Sequence, residues 1–121
     1  MSQPPRVLVV DDEETQRESL AALLVAEGIE AVLCDGAADG LQRLHRREHF
    51  DLIISDIVMP DMDGIEFADH VRRLQSAIPV VLVTGHDSVV DRVIASGNIA
   101  LLKPYSAAAL KRVLSEQLGR E

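Results

Sequence analysis

Five side chains able to do chemistry stand where short apolar runs end. Asp11 and Asp12 follow Arg6-Val7-Leu8-Val9-Val10, Asp56 follows Asp51-Leu52-Ile53-Ile54-Ser55, Thr84 follows Val80-Val81-Leu82-Val83, and Lys103 follows Ile99-Ala100-Leu101-Leu102. Taken singly, an acidic pair reads as solvated surface, a threonine as a loop hydroxyl and a lysine as a surface cation; their shared position gives them weight. Gathered in one place, three carboxylates repel and raise at least one pKa unless positive charge is supplied. Lys103 is one source of that charge, and a divalent cation is the second. The candidate ligands are all oxygen donors, with no cysteine or histidine at a run's end, which favours magnesium over zinc. A carboxylate, a hydroxyl, an ammonium and a hard cation about one point suit phosphoryl transfer, where the moving group needs its oxygens neutralised. Asp56 stands alone opposite the Asp11-Asp12 pair, so it is the expected nucleophile and an aspartyl phosphate the expected product. Thr84 can donate to a phosphate oxygen, Gly85 leaves room for the incoming donor, and Lys103 can pair with the carboxylate and its phosphorylated form.

These residues need elements that bring them together. The β-branched run 6–10 predicts a strand buried on both faces, and similar runs at 29–34, 51–55, 80–83 and 99–102 predict four more. Between them, Leu20, Leu23, Leu24 and Glu27 predict a helix over 14–27 that stops at Gly28. Ala38, Leu41 and Leu44 predict a second helix ending near Glu48. A loop, Met59 to Gly64, precedes a third carrying Ile65, Phe67, Ala68, Val71 and Leu74, with Asp61 and Asp63 serving the turn and Gly64 supplying backbone freedom. Thr84-Gly85-His86-Asp87 reads as a loop before a short helix with Val89, Val90, Val93 and Ile94 on one face. The last helix places Leu110, Val113, Leu114 and Leu118 on one side, with Ser106 as N-cap. Five strands alternating with five helices imply a doubly wound α/β domain with a parallel sheet, whose ligand site lies at the carboxyl ends of the strands.

Composition agrees with one compact domain. The 121 residues are 47% apolar and 26% charged, a globular balance. Twelve basic against 20 acidic side chains leave a net charge of −8, which repels phosphate backbones and anionic lipid, so no direct nucleic-acid or membrane contact is expected. The longest apolar run, Leu20 to Ala26, falls well short of the roughly 18 residues a membrane span needs. The amino terminus lacks a secretory signal's apolar stretch, and Cys34, the sole cysteine, has no partner for an internal disulfide, which suits a reducing cytoplasm.

Four segments carry a resemblance: Val7-Leu8-Val9-Val10-Asp11-Asp12-Glu13, Asp51 through Gly64 with its Asp56-Ile57-Val58-Met59-Pro60-Asp61-Met62-Asp63-Gly64 ending, Pro79 through Gly85, and Lys103-Pro104-Tyr105. Together they resemble the receiver domain of response regulators in two-component signalling, over essentially the whole chain. The middle segment is the specific one. The resemblance implies a flavodoxin-like, CheY-like fold with strand order 2-1-3-4-5 and a single receiver domain spanning 1–121. It implies that Asp56 accepts phosphate from a phosphohistidine on a sensor histidine kinase or a histidine phosphotransfer protein. It further implies magnesium held by Asp12, Asp56 and the backbone carbonyl of Val58 with help from Asp11, and a Lys103-Pro104 peptide in the cis form that aims the ammonium inward. Such a domain is a switch, catalysing only its own phosphorylation and slow hydrolysis, and it signals to an unidentified downstream effector or output domain, with a homodimer as one option. With no output domain after Leu118, the chain reads either as a stand-alone regulator or as the amino-terminal piece of a longer one.

Two departures from the family pattern stand out. The position three before the lysine, usually tyrosine or phenylalanine, is Ala100, and Tyr105 beyond Pro104 is not an obvious substitute. The stretch from Thr84 to Lys103 is about one helical turn short, which predicts a stunted fourth helix. Phosphorylation is therefore expected to alter the fourth loop through Thr84 but to reach partners by other contacts. Two rivals are disfavoured by the sequence, since Asp56 follows the third run with no lid-length insertion and the acidic, threonine and lysine set is intact. A small aspartyl-phosphate phosphatase would carry its nucleophile after the first strand and a substrate-covering insertion; an interaction module independent of phosphate would not need the intact acidic, threonine and lysine set.

Overall fold

The computed structural model describes residues 3–75 and 77–119; Met1 and Ser2, part of the amino terminus read above for a signal, lie outside them, as do Ser76, Arg120 and Glu121. Five strands, β1 (Arg6–Val10), β2 (Glu30–Cys34), β3 (Leu52–Asp56), β4 (Val80–Thr84) and β5 (Ile99–Leu102), form one parallel sheet in the order β2-β1-β3-β4-β5. Five helices alternate with them: α1 (Glu14–Ala26), α2 (Ala37–His45), α3 (Gly64–Leu74), α4 (Val90–Ala95) and α5 (Ala107–Leu118). The doubly wound expectation and its strand order are what the chain adopts.

Alternation along each strand divides the core into two layers. Leu8, Val10, Ile53 and Leu82 point to one face, where Leu44 of α2, Phe67, Ala68 and Val71 of α3 and Val93 of α4 cover them. Val7, Val9, Leu52, Ile54, Val81 and Val83 point to the other, under Leu20 and Leu24 of α1 and Leu110 and Leu114 of α5. With both faces covered, the central strands are apolar at nearly every position, which is why they read as continuous runs rather than alternating ones. Among the described residues no helix is long and apolar enough to cross a membrane.

The helix ends show where sequence signals hold and where they mislead. α1 closes at Gly28, which takes φ +77° while the Ile29 amide reaches back to the Leu24 carbonyl at 3.0 Å, as expected of a glycine-terminated helix. α2 closes the same way at Arg47, with φ +63°, the Glu48 amide donating to the Arg43 carbonyl at 3.2 Å and the Arg47 amide to that of Leu44 at 3.0 Å. Here an arginine occupies the left-handed position that glycine usually marks, so the helix ends at His45, ahead of the expected Glu48. α5 starts as expected, with the Ser106 hydroxyl accepting from the Ala109 amide at 3.0 Å.

The fourth helix is short, as the sequence implied. A single 3-10 turn over Asp87–Val89 leads into the six residues of α4. Its expected apolar face is narrower than the spacing suggested: Val93 is fully buried, whereas Ile94 is 59% exposed. The turn after α4 is instead held by polar contacts, because buried Asn98 donates to the Ser96 hydroxyl and accepts from the Arg72 guanidinium of α3, both at 2.8 Å. Cys34 is buried at the end of β2, and burial, with Asp39 beside it, pushes its thiol up to about 12, so it behaves as a small apolar side chain.

Candidate functional site

The sheet register assembles the site. Val10 pairs with Ser55, so Asp11 and Asp56 leave β1 and β3 at the same level; Asp56 itself pairs with Val83, and Thr84 with Leu102. The Lys103 amide donates to the Thr84 carbonyl at 2.7 Å, which fixes the lysine beside the threonine. Asp56 and Thr84 are the last residues of their strands, where the sequence placed Asp56 just past its strand and Thr84 in a loop, because the ladder extends one step further at β3 and β4. The central strands therefore hold both groups, which positions them more stiffly than a loop would.

Asp11, Asp12 and Asp56 each present a carboxylate oxygen within 4.8 Å of the others. Asp11 is fixed on its own loop, with one carboxylate oxygen accepting from the Glu13 amide at 2.9 Å and its carbonyl from Arg17 at 2.7 Å. Its carboxyl is pushed above the ordinary range, first by burial and also by the nearby Asp56 charge, while the Glu13 amide and Lys103 pull the other way. A charge held at such cost is one that a cation would relieve. The donor set is all oxygen, so Asp11, Asp12 and Asp56 fit a hard divalent ion such as magnesium. Val58 lies two residues beyond Asp56 and is 70% exposed; its backbone carbonyl is the only one of its atoms of a metal-ligating type.

The Lys103 ammonium lies 3.4 Å from Asp56 Oδ2, and a shorter contact of 2.7 Å goes to Gln16 Oε1 on the first turn of α1. The Lys103-Pro104 peptide is cis. Buried Thr84 accepts at Oγ1 from the His86 amide at 3.1 Å, so its hydroxyl is engaged with its own loop. Gly85 has open space where a Cβ would stand, consistent with an unobstructed mouth. A cavity of about 310 Å³ opens beside Asp11, Asp56 and Lys103, with Leu20, Ile54 and Tyr105 among its lining residues. Tyr105 is half-buried there, its hydroxyl pushed up by burial and then by the Asp11 charge. Ala100, small and partly buried, faces Leu82 in the β4–β5 register, so no aromatic ring occupies the expected switch position.

Three residues play parts that sequence reasoning missed. Gln16 carried no signal beyond its place five residues after Asp11. Gly64 was read as a source of backbone freedom, but it is needed for close approach: a Cβ there would stand 2.6 Å from the Asp56 carbonyl oxygen and 2.8 Å from Ile57 Cα. Asp63 serves the turn as expected, capping α3 through the Ile65 amide at 2.6 Å. Asp61 does something different, because its carboxylate reaches across to the start of α2 and accepts from the Ala38 and Ala37 amides at 2.9 and 3.3 Å. Gly36 stands at the N-cap of α2 and has no side chain to cap it, and that lack was the available clue.

The Asp61 bond joins the loop behind Asp56 to α2 and is pH-dependent. The Ala38 amide first, and the Ala37 amide after the opposing cost of burial, hold this carboxyl below its ordinary value of 3.8. Its contribution is thus fully present above that value and is lost as pH falls through the lower folded value. Asp61→Asn is expected to cost about 0.5 to 1 kcal/mol near neutral pH, toward the low end because the carboxylate is exposed. Urea unfolding at neutral pH and below pH 3.8 checks this: the difference between wild type and variant should shrink in acid. A difference that stays constant across the series excludes the cross-loop cap.

Comparison with known proteins places this geometry. Residues 7–115 match the family model described as the response regulator receiver domain. The Escherichia coli transcriptional regulatory protein GlrR is 35% identical over 118 residues, covering 95% of this chain and 26% of that protein. The chain thus spans about a quarter of that relative's length. The solved chemotaxis protein CheY4 of Vibrio cholerae is 28% identical with a TM-score of 0.83, covering 94% of this chain and 98% of its own. Response regulator protein TrrA of Thermotoga maritima, solved in complex with Mg(2+)-BeF, is 27% identical with a TM-score of 0.85, covering 93% and 98%.

Proposed function

We propose, from the premise that this chain belongs to the response regulator receiver domain family, that the Asp56 carboxylate is the phosphoacceptor and that magnesium, Thr84 and Lys103 assist at the same point. The observation that carries this reading is the meeting of Asp11, Asp12 and Asp56 within 4.8 Å, with the Lys103 ammonium 3.4 Å from Asp56. The family is a signalling switch in two-component systems rather than a catalyst for an outside substrate. The whole chain is read as one receiver domain, supported by a single sheet covered on both faces.

An Asp56 oxygen attacks the phosphorus of a phosphohistidine on a histidine kinase or phosphotransfer protein. The P–N bond breaks and its electron pair stays on the leaving imidazole nitrogen. Asp11, Asp12, Asp56 and the Val58 carbonyl would hold magnesium, which when bound neutralises charge on the transferring oxygens. Lys103 supplies the second positive charge, and Thr84 exchanges its bond with the His86 amide for one donated to a phosphoryl oxygen. The added group brings about two negative charges at neutral pH, enough to draw both residues inward. Reshaping of the β4–α4 loop follows and is what a downstream effector, an output domain or a second copy would read. Hydrolysis at the same site resets the switch. A buried free thiol at Cys34 suits a reducing cytoplasm.

Incubation with acetyl phosphate and magnesium, followed by intact-mass measurement, tests the reading. One phosphoryl addition that needs magnesium supports it. No addition, or steady phosphate release from many phosphomonoesters without a phosphoprotein, overturns it.

A further inference from the structure

Lys103 is held by two acceptors of different kinds. The neutral Gln16 Oε1 is 2.7 Å away, the optimum for an ammonium donor, while the charged Asp56 Oδ2 is 3.4 Å away, longer than the 2.7–2.9 Å usual for a charge-assisted bond. The stronger acceptor thus has the weaker contact. Gln16 lies on the third residue of α1, whose first turn follows directly from the Asp11-Asp12 loop, and it lines the cavity beside Asp56 and Lys103. The Asp11 carbonyl is bonded to Arg17, the next residue, so this turn is fixed relative to the acidic cluster. Lys103 is equally fixed at its backbone by the bond from its amide to Thr84. What remains adjustable is the four-carbon stem that swings the ammonium between Gln16 and the acceptor.

We propose that Gln16 is a positioning residue that holds the Lys103 ammonium back from Asp56 in the resting protein and thereby biases the switch toward its unphosphorylated state. Resting on the reading of Asp56 as phosphoacceptor, this assigns to α1 a part in setting the switch equilibrium. A bond made in one state and given up in the other stabilises the state that has it, so removing the Gln16 acceptor favours the phosphorylated form. The carboxylate of Asp56, only loosely paired in the resting state, also remains free to attack.

Beryllofluoride with magnesium serves as the probe, titrated into the full chain and followed by NMR. The chain has two lysines, Lys103 and Lys111, so the ammonium signal of Lys103 is readily assigned. Gln16→Met keeps the side-chain length and removes the acceptor. It is expected to tighten beryllofluoride binding about threefold, the size of one solvent-exposed hydrogen bond, and to move the Lys103 ammonium resonance in the resting protein. Gln16→Glu strengthens the resting contact and is expected to weaken binding by a similar factor. Opposite shifts of the two variants, with unchanged thermal stability, support the proposal, since a merely structural role would move both the same way. Unchanged affinity in Gln16→Met, a Lys103 resonance that stays in place, or equal shifts in both variants overturns it. A wild type that takes up no beryllofluoride overturns the phosphoacceptor reading beneath it, and is distinguishable because all three proteins then fail alike.

Discussion

Asp56→Asn takes up no phosphoryl group from acetyl phosphate and magnesium under conditions that fully label the wild type, and this is the largest effect expected of any single change. An amide oxygen is a poor nucleophile and carries no charge, so the variant loses the attacking group and one of the three carboxylates that meet within 4.8 Å. The fold is expected to survive, because Asp56 keeps its ladder position opposite Val83 and sheds like-charge repulsion with Asp11. Removing magnesium with a chelator should abolish wild-type labelling in the same way. Intact-mass spectra of both proteins, with melting curves to verify folding, decide the matter. A phosphoryl addition that persists in a folded Asp56→Asn protein would place the acceptor elsewhere.

The second large effect is on stability, at Gly64. This residue opens α3 while its amide donates to the Ile57 carbonyl at 2.8 Å, so the helix start lies directly against the end of β3. A Cβ would meet the Asp56 carbonyl oxygen at 2.6 Å and Ile57 Cα at 2.8 Å, both backbone atoms of the central strand's end, with a Leu82 methyl behind them at 3.2 Å. No flexible side-chain tip is available to give way. Gly64→Ala is therefore expected to cost about 2 to 3 kcal/mol through overpacking, and to lower Tm by about 10 °C. Gly64→Val should cost more. Because relief of the clash must move the strand end, magnesium affinity should fall alongside stability. Urea and thermal unfolding measure the first effect and a magnesium titration the second; an alanine variant as stable as wild type would show that α3 shifts freely away from the site.

Much of this fold is legible in the sequence because its signals are local and redundant. The strands buried on both faces announce themselves as β-branched runs, and the parallel order makes every run's end a point of convergence, so Asp11, Asp12, Asp56, Thr84 and Lys103 are readable as one site. What is not legible depends on contacts between distant segments or on a residue used against its type. Arg47 takes a backbone conformation that favours glycine, and so conceals the end of α2. Asp61 looks like a turn residue until its carboxylate is found accepting from the Ala38 amide, 23 residues earlier, at the uncapped start of α2. Ile94 has helical spacing, yet α4 is too short to be buried on more than the Val93 side. Gln16 and Lys103 are 87 residues apart, and only the packing of α1 beside the β5–α5 turn makes them neighbours.

The switch itself is unusual in one respect that the structure makes concrete. With Ala100 in place of an aromatic ring, a change at Thr84 has no aromatic side chain on β5 to move inward. The groups that can respond are the β4–α4 loop, through the His86 amide, and the first turn of α1, through Lys103 and Gln16. Both lie at the rim of the same acidic cluster, so under the proposed function these polar contacts are the ones expected to change on phosphorylation.

A crystal structure of the chain with magnesium and beryllofluoride is the most direct measurement of all. The expected result is beryllofluoride bonded to an Asp56 oxygen, magnesium among Asp11, Asp12, Asp56 and the Val58 carbonyl, the Thr84 hydroxyl turned from His86 toward fluorine, and the Lys103 ammonium drawn off Gln16. Beryllofluoride absent from Asp56, or acids that splay apart with no cation between them, would contradict the claim that this residue is the phosphoacceptor.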